Sequence, residues 1–394
     1  MFMDGGKMPL IRVLTGFLFM LLLAYGALIA SHRILWNDEY YSLFSSTLGA
    51  SYKTMLMKGV GEGNNSPLFY VLQKALCDLF SYHPPEEWLK HWSGAHIFDQ
   101  FFLRIQPVVF MSVALSALFY YFSRRNSLLV GAYALGVAMT SILFWFHWTE
   151  ARPYAGWFAL SLFQILFLLN ILEGPVDQYK RTLACLCLVH CLLALISNLS
   201  VVQIFSATAV LSVFHRPRLL WYIFLALLPL GICSFYYVHA PHYDFFFVDG
   251  PLALINASVP KDRLFIIFLS AAVLFVRCRG KGWMARLEIK YLTYFLLILG
   301  AFGVLLLKLK YGGAGTGGGF QVSSRYFLSL VPAGIVGTVL FSVYLIQAFP
   351  SKVWRFAAVI FLAGLLIFRF HKTEQLTPKS LYLVLCRPNF SNLC

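Results

Sequence analysis

Charge is scarce in this chain. Asp, Glu, Lys and Arg make up 12% of its 394 residues, against 60% hydrophobic ones. Soluble globular proteins carry about 25% and roughly 45–50%. So thin a charged shell cannot cover that much apolar surface in water, which excludes a string of soluble domains. The polar or repetitive sequence that disorder, coiled coils and collagen require is also missing. None of the eight cysteines stands in a Cys-x-x-Cys pair, which argues against a zinc ribbon or a thioredoxin-like site. Cys185, Cys187 and Cys191 share one apolar segment and read as small helix-packing residues. Cys386 and Cys394 would form a disulfide only if the tail is extracytoplasmic, which the sequence leaves open. No internal repeat marks an inverted-repeat transporter.

Long apolar blocks are what the chain has instead. A membrane-spanning helix needs about 20 mainly apolar residues. Such blocks cover 10–30, 105–122, 128–147, 154–172, 182–197, 199–214, 219–239, 264–276, 291–307, 326–346 and 354–370. The expected fold is therefore all-α and polytopic, with about eleven transmembrane helices in one domain over 1–370 and a short tail over 371–394. The first block exceeds the roughly 7–15 apolar residues of a signal peptide, so it reads as a retained helix. Residues 31–104 are mixed and hold seven of the sixteen acidic side chains. Their amphipathic pieces, such as 67–80, suit helices lying at the interface.

Positive charge outweighs negative, 31 to 16. In a membrane protein that excess marks cytoplasmic loops and contact with anionic lipid rather than nucleic acid. Arg124 and Arg125, Lys180 and Arg181, Arg216 and Arg218, the basic cluster at 277–290, and Lys352 and Arg355 fall in alternate connections. The intervening connections hold Arg152, then Lys261 and Arg263, then Lys308, Lys310 and Arg325. This bias predicts a cytoplasmic N-terminus, with 31–104, 147–153, 239–263 and 308–325 outside.

The informative charges are those that topology does not need. Trp36-Asn37-Asp38-Glu39-Tyr40-Tyr41 follows directly on the first helix. Paired carboxylates among aromatic rings at a membrane face are poorly hydrated, which favours base chemistry near neutral pH. The same residues also suit an aromatic belt with a helix cap at Asn37 or Asp38. Trp148-Thr149-Glu150-Ala151-Arg152-Pro153-Tyr154 fills one very short connection, where a tight turn does not require a charged pair. The glycine run over 312–319 precedes Ser323-Ser324-Arg325-Tyr326. It either wraps a ligand with backbone N–H groups or is a plain link, and it lacks the GxxxxGK[ST] pattern of a P-loop. Arg325 suits a phosphate at a membrane entrance, or a snorkelling arginine. His239, His242 and Asp244 match no standard metal spacing. The sequons at Asn64, Asn198, Asn256 and Asn389 are short enough to arise by chance.

Taken in order, these clusters resemble the membrane-embedded C-type glycosyltransferases that use polyprenyl-phosphate sugars. The nearest branch is similar to the protein O-mannosyltransferase and lipid A aminoarabinose transferase group. The acidic pair is Asp38-Glu39. An Asn-Pro-Pro-Leu-Tyr-Tyr pattern stands as Asn65-Ser66-Pro67-Leu68-Phe69-Tyr70. An Arg-Leu-Pro opening the next helix stands as Arg104-Ile105-Gln106-Pro107, and a Glu-Ala-Arg-x-Tyr turn as Glu150-Ala151-Arg152-Pro153-Tyr154. Arg325-Tyr326 with Pro332 matches a late Arg-Tyr motif. The likeness covers about 10–175, and 320–345 more loosely. Ser66 and Asn198 depart from it, where relatives have a proline and often a histidine.

The resemblance implies sugar transfer from a polyprenyl-phosphate donor to a hydroxyl of a glycan, lipid or protein acceptor. It implies an extracytoplasmic site, most simply on a bacterial inner membrane, and inversion at the anomeric carbon. Asp38 is then the expected base, with Glu39 orienting it or the acceptor. Arg152 and Arg325 are the expected phosphate partners, with Lys308 and Lys310 in reserve. Glu150 holds Arg152 or contacts the acceptor. Tyr40, Asn65, Pro67, Tyr70, Tyr154 and Tyr326 line the substrate cavity. No cofactor is required; some relatives use a divalent cation, for which Asp38, Glu39 and Glu150 are the available ligands. The alternative class is a polytopic transporter or flippase for a lipid-linked or anionic substrate. It would place ionisable residues or broken helices near mid-membrane.

Overall fold

The computed structural model describes residues 8–60, 65–84, 97–174, 180–240, 245–246, 250–277, 283–311, 320–321 and 324–376. The helices are α1 (Met8–His32), α2 (Asn37–Tyr41), α3 (Tyr52–Lys58), α4 (Leu68–Leu79), α5 (Ile97–Arg125), α6 (Leu128–Met139), α7 (Ile142–His147), α8 (Tyr154–Glu173) and α9 (Lys180–Ile196). They continue as α10 (Ser200–Phe214), α11 (Leu219–Tyr222), α12 (Leu228–His239), α13 (Pro251–Ser258), α14 (Lys261–Arg277), α15 (Leu287–Tyr311), α16 (Leu330–Ala348) and α17 (Lys352–Leu376). A π-helical turn, Ser42–Leu48, extends α2, and another, Ile223–Leu227, joins α11 to α12. The only extended pairing among the described residues, isolated bridges aside, is β1 (Phe245–Phe246) lying parallel to β2 (Phe320–Gln321).

Every apolar block of the sequence falls on helix. Among the described residues, seven helical stretches are long and apolar enough to cross a membrane: α1, α5, α8, Leu219–His239, α15, α16 and α17. This is the architecture of an all-α, multi-pass membrane protein. The four remaining blocks form shorter helices. α9 and α14 have 17 residues each, and α10 has 15. At 1.5 Å per residue they reach roughly 25 Å or less, short of a hydrocarbon core about 30 Å thick.

The fourth short block is broken at Thr140, between α6 and α7. The Thr140 hydroxyl bonds back to the Val137 carbonyl at 2.8 Å. Arg263 Nη2 takes the same carbonyl at 2.6 Å. The turn then tightens, with Ser141 N reaching Ala138 O at 3.0 Å. α5 differs from expectation in the other direction. It begins at Ile97, so Arg104 and Pro107 lie inside the helix. Phe102 and Leu103 pack with Leu35, Tyr40 and Leu43, and that burial offsets the hydrogen bond lost at the proline.

α8 and α16 are buried on all sides and form the centre of the bundle. α1, Leu219–His239 and α17 lie at the rim and expose large apolar side chains, such as Val13, Phe17, Leu227 and Ile367. Such faces suit lipid, not water. A Cβ at Gly26 would lie 2.8 Å from Val108 and 3.0 Å from the Trp148 ring, so glycine there lets α1 approach α5 beside the α7–α8 connection. Inside the bundle, the π turn over 223–227 leaves the Leu225 carbonyl for side chains. His190 Nδ1 takes it at 2.7 Å and Thr208 at 3.2 Å. Gln164 holds the other nitrogen of His190 at 2.9 Å.

Candidate functional site

The site forms at one end of the bundle, where the chain leaves α1. Glu39 sits in the first turn of α2 and reaches back to Trp36 N at 3.2 Å, an acidic side chain at the positive end of a helix. Arg104 of α5, fully buried, grips it as a fork: Nε to Oε1 at 2.9 Å and Nη2 to Oε2 at 2.6 Å. The rest of that guanidinium staples the α1–α2 turn. It donates to Ala30 O at 3.1 Å, to Ile34 O at 2.9 Å and to Arg33 O. Ala151 N donates to Glu39 Oε1 at 2.6 Å and so draws in the α7–α8 connection. Glu39 therefore receives four donors, is 2% exposed, and joins three segments of the chain.

Asp38, its neighbour, faces the other way and keeps 36% of its side chain exposed. Arg152 Nη1 and Arg325 Nη1 both donate to its Oδ2, at 2.6 and 2.8 Å. Oδ1 is left open. Arg152 lies over the Tyr154 ring at 5.1 Å and Arg325 over the Tyr326 ring at 5.5 Å, so each guanidinium has an aromatic face to fix its plane. Arg325 Nε is buried without a hydrogen-bond partner.

Glu150 is 1% exposed and pairs through Oε2 with His147 Nδ1; its Oε1 has no partner. Burial works to raise the Glu150 carboxyl. His147, Arg152 and Arg33 outweigh it and hold the group below its ordinary value. The His147 ring lies 4.7 Å from the Tyr154 ring. Arg33 donates to Phe146 O at 2.8 Å and to Thr149 at 3.3 Å, tying the same connection to the end of α1. These side chains bring four guanidiniums to three carboxylates, an excess of one positive charge.

The structure thus gathers Asp38, Glu39, Glu150, Arg152, Arg325, Tyr154 and Tyr326 at one place. Tyr40 is buried beside them against Leu35 and Leu43. Asn65, Pro67 and Tyr70 belong to a separate seam. Asn65 donates to the Tyr70 hydroxyl at 2.9 Å and bridges Ser197 at the end of α9. Ser66 donates to Asn198 at 2.8 Å. The two departures from the family pattern are therefore bonded to each other. A narrow cavity of about 10 Å³, room for about one water, is lined by Glu39, Ala151, Thr47 and Gln73 among apolar side chains. Both amide atoms of Gln73 are buried there without a partner. The glycine run, His242, Asp244, Ser323 and the cysteines of the tail lie outside the described residues, as do the side chains of Lys308 and Lys310.

A divalent cation held by Asp38, Glu39 and Glu150 does not fit these side chains as they stand. Every oxygen site of Glu39 is taken, and no group of three His, Cys, Asp or Glu converges among the described residues. Sequence reading missed His147, Arg33 and Gln73, and left Arg104 outside the site. The signal for His147 was its place three residues before Glu150. Gln73 gave none, because an amide on an amphipathic helix reads as a solvated face.

No family model matches this chain, and no curated protein matches it.

Proposed function

We propose that the chain is a glycosyltransferase that moves a sugar from a polyprenyl-phosphate donor to an acceptor hydroxyl at the extracytoplasmic membrane face. The observation that carries this reading is Asp38 held between Arg152 and Arg325, residues 114 and 287 positions away, with one oxygen still open. One open carboxylate beside two guanidiniums is the set that such a transfer needs. The acceptor oxygen attacks the anomeric carbon as Asp38 takes its proton. The bond from that carbon to the phosphate oxygen breaks, and the electron pair leaves with the polyprenyl phosphate. Arg152 and Arg325 stabilise the charge gathering on that phosphate. Displacement from the face opposite the leaving phosphate inverts the anomeric carbon, and it requires the two arginines to turn from Asp38 to the phosphate as the donor binds.

The proposed topology has about eleven crossings, the short helices included, and puts this end of the bundle outside. The apolar rim of α1 gives the prenyl tail a lipid path to the site. The transporter reading rests on His190 and Gln164 inside the bundle, but both ring nitrogens of that histidine are engaged in hydrogen bonds.

Transfer of label from a defined polyprenyl-phosphate sugar, followed by mass spectrometry on purified protein, tests the reading. Asp38→Asn should lower turnover by about 10²-fold or more, the usual scale of a general base. Donor binding and thermal stability should persist. Full turnover in the Asn variant would remove Asp38 as the base. No transfer by the wild type, together with movement of the donor between leaflets, would favour the transporter.

A further inference from the structure

A second basic centre lies at the other end of α7, away from the site just described. Arg263, in the first turn of α14, is 2% exposed. Its Nη2 donates to the Val137 carbonyl at 2.6 Å and to the Thr140 hydroxyl at 3.0 Å, and so ends α6. Its Nη1 is buried and has no partner. Arg369, from the last turns of α17, stands beside it. Arg369 Nη1 lies 3.6 Å from Asp262 Oδ1, while its Nε is buried without a partner. Thr373 donates to the Thr140 carbonyl at 2.9 Å and fastens α17 to this corner.

Among the described residues the charges do not balance. Two guanidiniums share one carboxylate, Asp262, which pairs directly with Arg369 and acts on Arg263 only at longer range. The hydrogen bonds of Arg263 go to neutral acceptors. A buried charge is normally paired, because leaving it uncompensated costs several kcal/mol. Buried polar atoms without partners likewise point to an unseen ion or water. The N-terminus of α14 adds a partial positive charge at the same corner. Beside it, α17 shows Ile367, Phe368 and Phe370 outward, and Val359, Ile360 and Phe361 lower down. These are surfaces for acyl chains.

We infer that Arg263 and Arg369 form an anion site for the phosphate headgroup of a membrane lipid, whose tails lie along α17. A water molecule would fill one unmade donor but would leave the charge uncompensated; a phosphate oxygen does both. The site does not depend on the proposed transferase reaction, and none of its residues belongs to that machinery.

The test uses the full chain in neutral detergent, with thermal unfolding followed against added ligand. Short-chain phosphatidic acid should raise the midpoint saturably, and diacylglycerol of the same chains should not. Arg369→Gln, which introduces no new buried charge, should weaken the apparent affinity roughly tenfold or more. Asp262→Asn removes the competing carboxylate and should tighten binding. Arg355→Gln, at the far end of α17, should leave it unchanged. A merely structural Arg369 cannot produce the opposite signs at 369 and 262. Equal responses in the wild type, Arg369→Gln and Asp262→Asn would overturn the site, and so would an equal response to diacylglycerol. An equal shift with inorganic phosphate at the same concentration would overturn the lipid as its source.

Discussion

Glu39→Gln separates the two adjacent carboxylates more sharply than any other change. The substitution keeps size and one acceptor. It removes the charge and turns one oxygen into a donor. In the structure Glu39 receives Arg104 twice, at 2.9 and 2.6 Å, Ala151 N at 2.6 Å and Trp36 N at 3.2 Å. The new amide must aim two N–H groups at donors, whichever way it flips. Arg104 would keep three backbone carbonyls but lose its only counter-charge in a fully buried position. Breaking a buried ion pair from one side costs about 3–5 kcal/mol. The loss should appear as lower resistance to thermal and detergent unfolding, with the α1–α2 turn and the α7–α8 connection loosening together. A second change, Arg104→Gln, removes the stranded charge. The double variant should therefore be more stable than the sum of the two single losses, a coupling of several kcal/mol in a double-mutant cycle. Wild-type stability in Glu39→Gln, with turnover alone lost, would refute the reasoning and make Glu39 a chemical participant.

Three further outcomes follow from the same geometry. Arg325→Ala should weaken binding of a donor analogue by about 1.5–3 kcal/mol, and Arg325→Lys by less, since lysine keeps the charge but loses the fork; unchanged affinity in the Ala variant would pass the phosphate to Arg152. Glu150 is held below its ordinary pKa of 4.5, so its contribution to stability is full above that pH and is lost as pH falls through the lowered value; Glu150→Gln should flatten this acid limb of the unfolding curve, and an unaltered limb would count against the His147 pairing as its source. A cysteine placed at Ser51, an exposed position between α2 and α3, should react with an impermeant reagent from the extracytoplasmic side; labelling from the cytoplasm alone would invert the proposed topology and move the site with it.

The membrane character and the course of the helices were legible in the sequence, for a local reason. Seven of the apolar helices among the described residues are long enough to dictate their own solvent, and a helix in lipid must satisfy its backbone internally. The positions of Asp38, Glu150 and Arg152 were legible too, because charges at the ends of apolar blocks stand out. The break at Thr140 was not, since the side chain that ends α6 is Arg263, 123 residues away. Nor could local sequence divide the labour between Asp38 and Glu39. Neighbours on a helix point about 100° apart, so packing alone chooses which turns inward. Here Arg104, reaching over 65 residues, takes Glu39 into the core and leaves Asp38 at the surface for Arg152 and Arg325. Composition placed the chain in lipid; only the tertiary contacts of one arginine decided which carboxylate is buried and which stays at the surface.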